Sequence, residues 1–302
     1  MSGGRRWELR DWIDAGAALG IIAAMVLVAA RVFLGDQILD FGFYTRPYST
    51  SPYNGVILVL FLQAAVVALA ATAIAFGVGL GLGLLLGLAK VTRLLSWQEA
   101  REGRTRGVLA ALARRLGRRL AELYAEVIRG TPLFVQIVLV WSIFLVAVPR
   151  WDPAVLSLTA GIVAMTANTA GYQSEIFRAG LQAVPAGQIE AGRAVGMSPR
   201  QAARFILLPQ ALRLVLPPVT NEFIALFKSS SLLYWIGVSE LTALSQGIAR
   251  VTHVFEMSLI LTAMYLLVTI PLGRFSAFLE KRYRMAGFGY DARRARAPMA
   301  SR

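Results

Sequence analysis

Long apolar stretches separated by polar segments run through most of this chain. A helix needs about 20 mostly apolar residues to cross the roughly 30 Å hydrocarbon core of a bilayer. The pattern therefore predicts an all-α integral membrane protein with six transmembrane helices. The predicted spans are Ile13–Leu34, Phe61–Ala89, Pro132–Val148, Ala154–Phe177, Pro217–Val238 and Met257–Phe278. We expect the third span to continue a helix that begins in the cytoplasm near Leu120.

The composition supports a membrane protein and excludes several chemistries. Of the 302 residues, 57% are hydrophobic and 16% are charged, whereas soluble domains have about 45–50% and about 25%. The chain contains no cysteine, which excludes disulfides, thiolate metal sites and cysteine nucleophiles. His253 is the only histidine, so a histidine-cluster metal site is excluded as well.

The basic residues lie mainly on one side of the predicted spans. The 31 Lys and Arg residues exceed the 17 Asp and Glu residues by 14, a balance that also suits nucleic-acid binding. Loop by loop, however, 26 basic residues fall on one side and four on the other, with Lys228 inside a span. Cytoplasmic loops of membrane proteins concentrate Lys and Arg. This pattern predicts that both termini are cytoplasmic. It argues against a membrane-anchored nucleic-acid binder, which would gather its basic residues on one folded face.

The basic connector at 90–122 has its own periodicity. Val108, Leu112, Leu116 and Leu120 recur at every fourth position, while arginines fill other faces of the same predicted helix. One interpretation is an amphipathic helix that lies on an anionic leaflet. The other is a solvated connector between two spans.

Five glycines lie close together on the second predicted span. They fit neither a dinucleotide-binding fingerprint nor a phosphate-binding P-loop, so the chain has no nucleotide cradle of its own. The pairs Gly77/Gly81, Gly79/Gly83 and Gly83/Gly87 have instead the spacing of small residues at close helix–helix contacts in lipid.

The loop between the fourth and fifth predicted spans has the local signals of two short helices that meet at a bend. Gly196 can take the left-handed conformation that ends the first helix. Ser198 is the expected N-cap of the second helix, and Pro199 is its expected first residue. We call Glu190–Pro209 the knuckle. Its residues suit docking into a groove on a soluble partner, and an ordinary interhelical loop is the alternative.

The knuckle resembles the cytoplasmic EAA signature of permease subunits of bacterial ABC importers. The matching residues are Glu190, Ala191, Gly196, Ile206, Leu208 and Pro209, whereas Gly192 replaces the usual alanine at the third position. The segments Glu126–Gln136, Asn168–Gly180 and Leu208–Leu232 resemble motifs of the polar amino-acid branch. The resemblance implies a five-span importer domain at 55–282 with a coupling loop at 180–216. The domain is preceded by a segment at 1–54, which comprises a cytoplasmic tail, the extra span and a periplasmic stretch, and is followed by a basic cytoplasmic tail at 283–302.

The resemblance also implies a division of labour among subunits. This chain is expected to form half of a translocation pore in a bacterial inner membrane, without cofactors and without enzymatic activity of its own. Its implied partners are a second permease subunit, identical or different, an ABC ATPase dimer that binds ATP and Mg²⁺, and an extracytoplasmic solute-binding protein. An ATP-independent amino-acid carrier or channel is the alternative, and it would not need the knuckle. The residues expected to couple the chain to the ATPase are Glu190, Ala191, Gly196, Ser198, Pro199, Ile206, Leu208 and Pro209.

Polar side chains inside the predicted spans are candidates for the substrate path, because such groups usually face a bundle interior. On the fourth span Asn168, Tyr172 and Glu175 share one helix face, where they line a path or join helices. On the fifth span Lys228 has Glu222, Glu175 or a substrate carboxylate as possible partners, so a pore role and a structural ion pair both stay open. The fifth-span candidates are Glu222, Lys228, Ser229, Ser230 and Ser231.

Overall fold

A computed structural model of the chain describes residues 56–91, 108–249 and 254–283. Every regular element within these ranges is helical, which confirms the predicted fold class. The helices are α1 (Val56–Lys90), α2 (Val108–Gly130), α3 (Leu133–Ala147), α4 (Pro153–Ala183), α5 (Ala186–Ala194), α6 (Pro199–Ile236), α7 (Leu241–Ala249) and α8 (Val254–Tyr283).

Within the described part of the chain, four helices are long and apolar enough to cross a membrane. They are α1, α4, α6 and α8, and α2 with α3 adds a fifth span if that bent pair is counted as one. The predicted first span Ile13–Leu34, the tail at 283–302 beyond Tyr283 and residues 92–107 of the basic connector lie outside the described residues. The six-span count and the cytoplasmic termini therefore stay predictions.

The third predicted span does not continue a straight helix from the cytoplasm. Helix α2 ends at Gly130, α3 begins at Leu133, and the two axes differ by 107°. Pro132 causes the break, because it lacks an N–H group and disfavours helical geometry at the preceding Thr131. The prediction of one continuous helix from Leu120 is wrong at this point.

The closest helix packing joins α1 to α4. Gly79, Gly83 and Gly87 face α4, where an added Cβ at Gly83 would lie 3.1 Å from the Ala170 carbonyl oxygen and closer still to the Gln173 side chain. Small residues let two helix backbones approach in this way. The structure confirms the predicted role of these three glycines. Among the described residues nothing lies within 4 Å of an added Cβ at Gly77 or Gly81, so the Gly77/Gly81 contact stays a prediction.

Two glycine-to-alanine substitutions in α1, one facing α4 and one facing away from it, test the packing of α1 on α4. Gly83→Ala should lower the free energy of unfolding by about 1–3 kcal/mol, because the new Cβ overpacks the contact with α4. Gly81→Ala is the matched control and should stay within about 1 kcal/mol of the parent chain. Thermal unfolding of the two purified variants in the same detergent would measure both effects. Equal destabilisation by both would contradict the packing of α1 on α4.

Helix α7 lies between two spans and packs on α1, α6 and α8. Its residues Leu241 and Leu244 join a buried cluster with Phe61 and Phe227. Glu240 precedes the helix and is fully buried. Its carboxylate accepts hydrogen bonds from the Thr242 N–H at 2.9 Å, the Ala243 N–H at 3.1 Å and the Tyr265 hydroxyl at 3.3 Å. Glu240 thus caps α7 and ties it to α8.

Burial raises the pKa of Glu240 from 4.5 to about 7, despite the hydrogen bonds that favour its charged form. A carboxyl group whose folded pKa is raised stabilises the fold most at low pH, and that contribution is lost as pH rises from 4.5 to 7. Between pH 5 and 8 we expect the parent chain to lose about 2–3 kcal/mol of stability relative to the Glu240→Gln variant. The glutamine side chain has nearly the same shape as glutamate but does not titrate. Thermal unfolding across this range would measure the difference, and parallel pH profiles would contradict it.

Candidate functional site

The break between α2 and α3 is held by one buried glutamine. The Gln136 side-chain amide donates hydrogen bonds to the Ile128 carbonyl at 2.7 Å and to the Thr131 hydroxyl at 2.8 Å. Its Oε1 accepts from Asn168 Nδ2 at 2.9 Å. These hydrogen bonds give partners to the Ile128 carbonyl and the Thr131 hydroxyl at the break. The bond to Asn168 holds the break against α4. The sequence motif contains Gln136, but nothing in the local pattern identifies this role.

A cavity of about 510 Å³ opens beside this break. Asn168 is the middle residue of the 31-residue α4, so the cavity lies near the centre of that span. The Arg129 guanidinium lies 5.7 Å from the ring centroid of Tyr172, and Glu222 contributes a carboxylate from α6. The lining residues are Arg129, Gly130, Thr131, Pro132, Leu133, Asn168, Tyr172, Glu222, Ala225, Leu226 and Ser229.

The cavity brings together four of the candidates that sequence reasoning placed in the substrate path. These are Asn168, Tyr172, Glu222 and Ser229. Sequence reasoning missed Arg129 and Thr131 as lining residues. Arg129 is in the last turn of α2 and Thr131 directly follows it, at a point where the helix was expected to run straight, and the bend there places both beside the cavity.

Glu175 lies away from this cavity, in an ion pair between α1 and α4. Its Oε1 is 2.8 Å from Lys90 Nζ, and its Oε2 is 2.6 Å from Arg178 Nη2. The Lys90 side chain is fully buried and also donates to the Ser174 hydroxyl at 2.8 Å. Lys90 and Arg178 therefore occupy both oxygens of the Glu175 carboxylate, so this group does not serve as the partner of Lys228.

Helix α6 changes geometry within its serine run. The α-helical part Leu208–Ser229 passes into a 3-10 segment at Ser230–Ile236. The Ser230 hydroxyl donates to the Phe227 carbonyl at 2.8 Å and the Ser231 hydroxyl donates to the Lys228 carbonyl at 2.9 Å. Among the described residues Lys228 has no ion-pair partner, and its side chain is exposed on the surface of α6. Neither Glu222 nor Glu175 pairs with it.

The bend of the knuckle is a Schellman motif. Gly196 has φ of +91°, a conformation that L side chains rarely adopt. Its N–H donates to the Arg193 carbonyl at 3.0 Å, and the Met197 N–H donates to the Gly192 carbonyl at 3.1 Å. This is the 5→2 and 6→1 bond pair that closes a helix C-terminus. The predicted left-handed Gly196 is confirmed.

The second half of the knuckle begins with a capping box. The Ser198 hydroxyl accepts from the Gln201 N–H at 3.3 Å, and the Gln201 side chain accepts from the Ser198 N–H at 2.7 Å. Pro199 occupies the first helical turn, as predicted. The helix then widens into a π-turn at Ala203–Leu207, because Pro209 has no N–H to donate to the preceding turn. The predicted short second helix is therefore the first part of the long helix α6, which continues to Ile236.

Gly192 has a packing role that its position in the motif does not reveal. A Cβ there would meet the Ile206 side chain and lie 3.3 Å from Met197 Sδ. The glycine therefore lets the two arms of the knuckle close on each other. At the base of the knuckle, Val91, Val184 and Leu207 share one buried cluster, which attaches it to the ends of α1 and α4.

The outer face of the knuckle combines charge with exposed apolar groups. Glu190 and Ala191 are exposed on α5. Val195 is 79% exposed and Phe205 is 64% exposed. Single exposed apolar residues are common, but Val195 beside the bend and Phe205 on the second arm together add apolar surface that suits a partner.

The comparisons with known proteins agree on one family. Residues 104–285 match the model for "Binding-protein-dependent transport system inner membrane component". The chain is 34% identical over 202 residues to the glutamine transport system permease protein GlnP of Escherichia coli (strain K12), covering 65% of this chain and 91% of that protein. It is 38% identical over 168 residues to the nopaline transport system permease protein NocM of Agrobacterium fabrum, covering 53% and 70%.

Two solved structures show a similar fold. The first is a crystal structure of an amino acid ABC transporter with histidines, with TM-score 0.62, 32% identity and coverage of 78% of this chain and 100% of that chain. The second is an inward-facing MetNI methionine ABC transporter, with TM-score 0.60, 20% identity and coverage of 76% and 99%. At 20% identity the second supports the fold alone.

Proposed function

The chain belongs to the family of binding-protein-dependent transport system inner membrane components, and from this membership we propose that it is the transmembrane subunit of an ATP-driven importer of a polar amino acid. We place it in a bacterial inner membrane beside a second permease subunit. Separate subunits bind ATP and Mg²⁺, and an extracytoplasmic binding protein delivers the substrate. The observation that carries the proposal is a charged cavity near the middle of a membrane span.

The cavity has groups suited to a zwitterion. Arg129 offers donors for an α-carboxylate, and Glu222 offers an acceptor for an α-ammonium group. Asn168, Tyr172 and Ser229 add neutral hydrogen-bonding groups that suit a polar side chain. A cavity of about 510 Å³ lies within the range typical of small-molecule sites. We therefore propose that a polar amino acid passes through this space.

The exposed polar side of α6 supports a path between two permease subunits. Asn221, Ala225 and Lys228 are exposed at spacings of four and three, so they share one face of the helix. Charged groups inside a membrane rarely face lipid. We propose that this face borders a water-filled path shared with the second permease, next to the point where α6 passes from α-helical to 3-10 geometry at Ser230 and Ser231.

The knuckle is the proposed contact with the ATPase. Glu190 and Ala191 lie on its exposed face, Gly196 makes its bend, and Ser198 with Pro199 starts its second arm. Because its base packs on the ends of α1, α4 and α6, a push on the tip would move those spans together. Ile206 holds the two arms together, and Leu208 with Pro209 leads into α6.

Neutralising Glu222 tests the cavity. In the assembled complex with its binding protein, Glu222→Gln should reduce amino-acid uptake at least about tenfold, because a charge-assisted hydrogen bond contributes about 1.5–3 kcal/mol. Glu126→Gln is the matched control, since Glu126 is an exposed glutamate on α2 outside the cavity. Uptake of a labelled amino-acid panel into proteoliposomes would measure both variants.

The outcomes separate the cavity from the wider proposal. Normal uptake by Glu222→Gln would reject the cavity as the substrate site and leave the importer role standing. Failure of every amino acid to stimulate ATP hydrolysis in the parent complex would reject the polar amino-acid substrate. Uptake that proceeds without any ATPase subunit would favour an ATP-independent carrier.

A further inference from the structure

Two opposite charges line the cavity without a protein partner. Of the described residues that line it, Arg129 and Glu222 are the two charged ones. Neither forms an ion pair within the described ranges, with the other or with a third residue. The Arg129 guanidinium lies instead 5.7 Å from the ring centroid of Tyr172. Unpaired charges at this depth in a membrane mark the path of a charged ligand. One carboxylate and one ammonium group on the ligand would balance the cavity.

The other polar groups of the lining are neutral, and three of them have hydrogen-bonding capacity to spare. Tyr172 and Ser229 have hydroxyl groups with no hydrogen-bond partner among the described residues. Asn168 donates one N–H to Gln136 at 2.9 Å, which leaves its carbonyl oxygen as an acceptor. The Thr131 hydroxyl, by contrast, already donates to a backbone carbonyl at 2.9 Å and accepts from Gln136. The spare groups therefore include donors and acceptors but no charge.

The next charge along the cavity wall is positive. Lys228 directly precedes Ser229 and lies three residues after Ala225, and both of these neighbours line the cavity. Its side chain is exposed and has no ion-pair partner in the described part of the chain. A cationic ligand side chain would approach this ammonium group while the α-ammonium group occupies Glu222. Like charges repel strongly where the dielectric constant is low. The charges around the cavity therefore disfavour cationic side chains.

An anionic ligand side chain is also poorly matched. A second carboxylate on the ligand would compete with the α-carboxylate for Arg129, which is the one cation among the described lining residues. Lys228 lies beside the lining and does not belong to it. A charged group that is desolvated without a partner weakens binding. A ligand with one positive and one negative charge therefore matches the cavity best.

We propose that the cavity selects amino acids with a neutral side chain that both donates and accepts hydrogen bonds, for which a carboxamide is the best match. The inference rests on the proposed function, because it assumes that the α-carboxylate binds Arg129 and the α-ammonium group binds Glu222. A carboxamide can accept from the hydroxyl groups of Tyr172 and Ser229. It can also donate to the carbonyl oxygen of Asn168. An aliphatic side chain would leave these groups without partners.

Four amino acids with unbranched side chains of similar length test this selection. Glutamine, glutamate, norleucine and lysine differ in charge and in hydrogen bonding. Each is titrated into the intact transporter complex in detergent, without the binding protein, and the rise in unfolding temperature gives the affinity. Glutamine should bind at least about tenfold more tightly than each of the other three, because each of them leaves a polar or charged group unpaired.

An added carboxylate should change the selection. Ser229→Asp places an anion on the cavity wall and should raise the affinity for lysine at least about tenfold over that of the parent chain. Ser229→Asn is the matched variant, since it has nearly the same size without the charge, and it should still reject lysine. Rejection of lysine by a folded Ser229→Asp complex would contradict the charge argument. The four titrations of the parent complex decide the proposal even if this variant does not fold.

Each result bears on a different claim. Lysine or glutamate bound as tightly as glutamine would overturn the inference and leave the cavity as an amino-acid site. Norleucine bound as tightly as glutamine would overturn the hydrogen-bonding match. No binding of any of the four would reject the cavity and this inference together. Stimulation of ATP hydrolysis by the loaded binding protein would in that case still support the importer.

Discussion

Replacing Glu175 with alanine should destabilise the chain by about 3–5 kcal/mol. The reason is the buried Lys90 ammonium, whose Nζ lies 2.8 Å from the Glu175 carboxylate and whose side chain is fully buried. Without the carboxylate, the Ser174 hydroxyl at 2.8 Å is the one remaining partner among the described residues. An unpaired charge in this environment is much more costly than the loss of an ordinary contact. Equilibrium unfolding of the purified chain in detergent would measure the change.

Two further variants make this expectation specific. Lys90→Met combined with Glu175→Met removes both charges and should recover most of the stability, because well-packed apolar residues often replace a buried pair without net loss. Glu122→Gln breaks the Arg118 pair, whose side chains are 37% and 46% exposed, and should cost less than about 1 kcal/mol. A Glu175→Ala variant as stable as Glu122→Gln would show that Lys90 finds water or another partner.

The features that the sequence predicted well are those with local causes. Hydropathy places α4 and α8 because a span needs only enough consecutive apolar residues. The bend of the knuckle follows from Gly196, Ser198 and Pro199, which act within one turn of their own positions. These elements therefore needed no knowledge of the tertiary structure.

The features that the sequence did not predict depend on contacts between distant segments. Lys90 and Glu175 are 85 positions apart, and no local pattern pairs them. The rotation of α1 decides that Gly83 meets α4 while Gly81 does not, although both glycines fit the same spacing. The bend after Gly130 places Arg129 beside the cavity. Pro132 in the sequence indicates a break in the helix but not the angle between α2 and α3.

Gly196→Val should uncouple the transporter, provided that the knuckle is its contact with the ATPase as we propose. The parent residue has φ of +91°, and a β-branched residue at positive φ is a strained outlier. Because nothing lies within 4 Å of an added Cβ, the strain acts on the backbone alone. Left-handed geometry costs an L-residue about 1–2 kcal/mol, so the Schellman bend should open and change the angle between the two arms. We expect substrate-stimulated ATP hydrolysis to fall about tenfold or more.

Gly187→Val is the matched control for this prediction. Gly187 lies on α5 three residues before the knuckle, has no described neighbour within 4 Å of an added Cβ and does not have positive φ. The same side chain there should leave ATP hydrolysis and uptake near parent values. Gly196→Asn should give an intermediate loss, because asparagine tolerates positive φ better than valine. Membrane insertion of each variant shows that the chain is still produced, and co-purification of the ATPase shows that docking is intact. A loss of stimulated ATP hydrolysis in such a complex is then a loss of coupling. Parent-level stimulation in an assembled Gly196→Val complex would reject the bend as the coupling element.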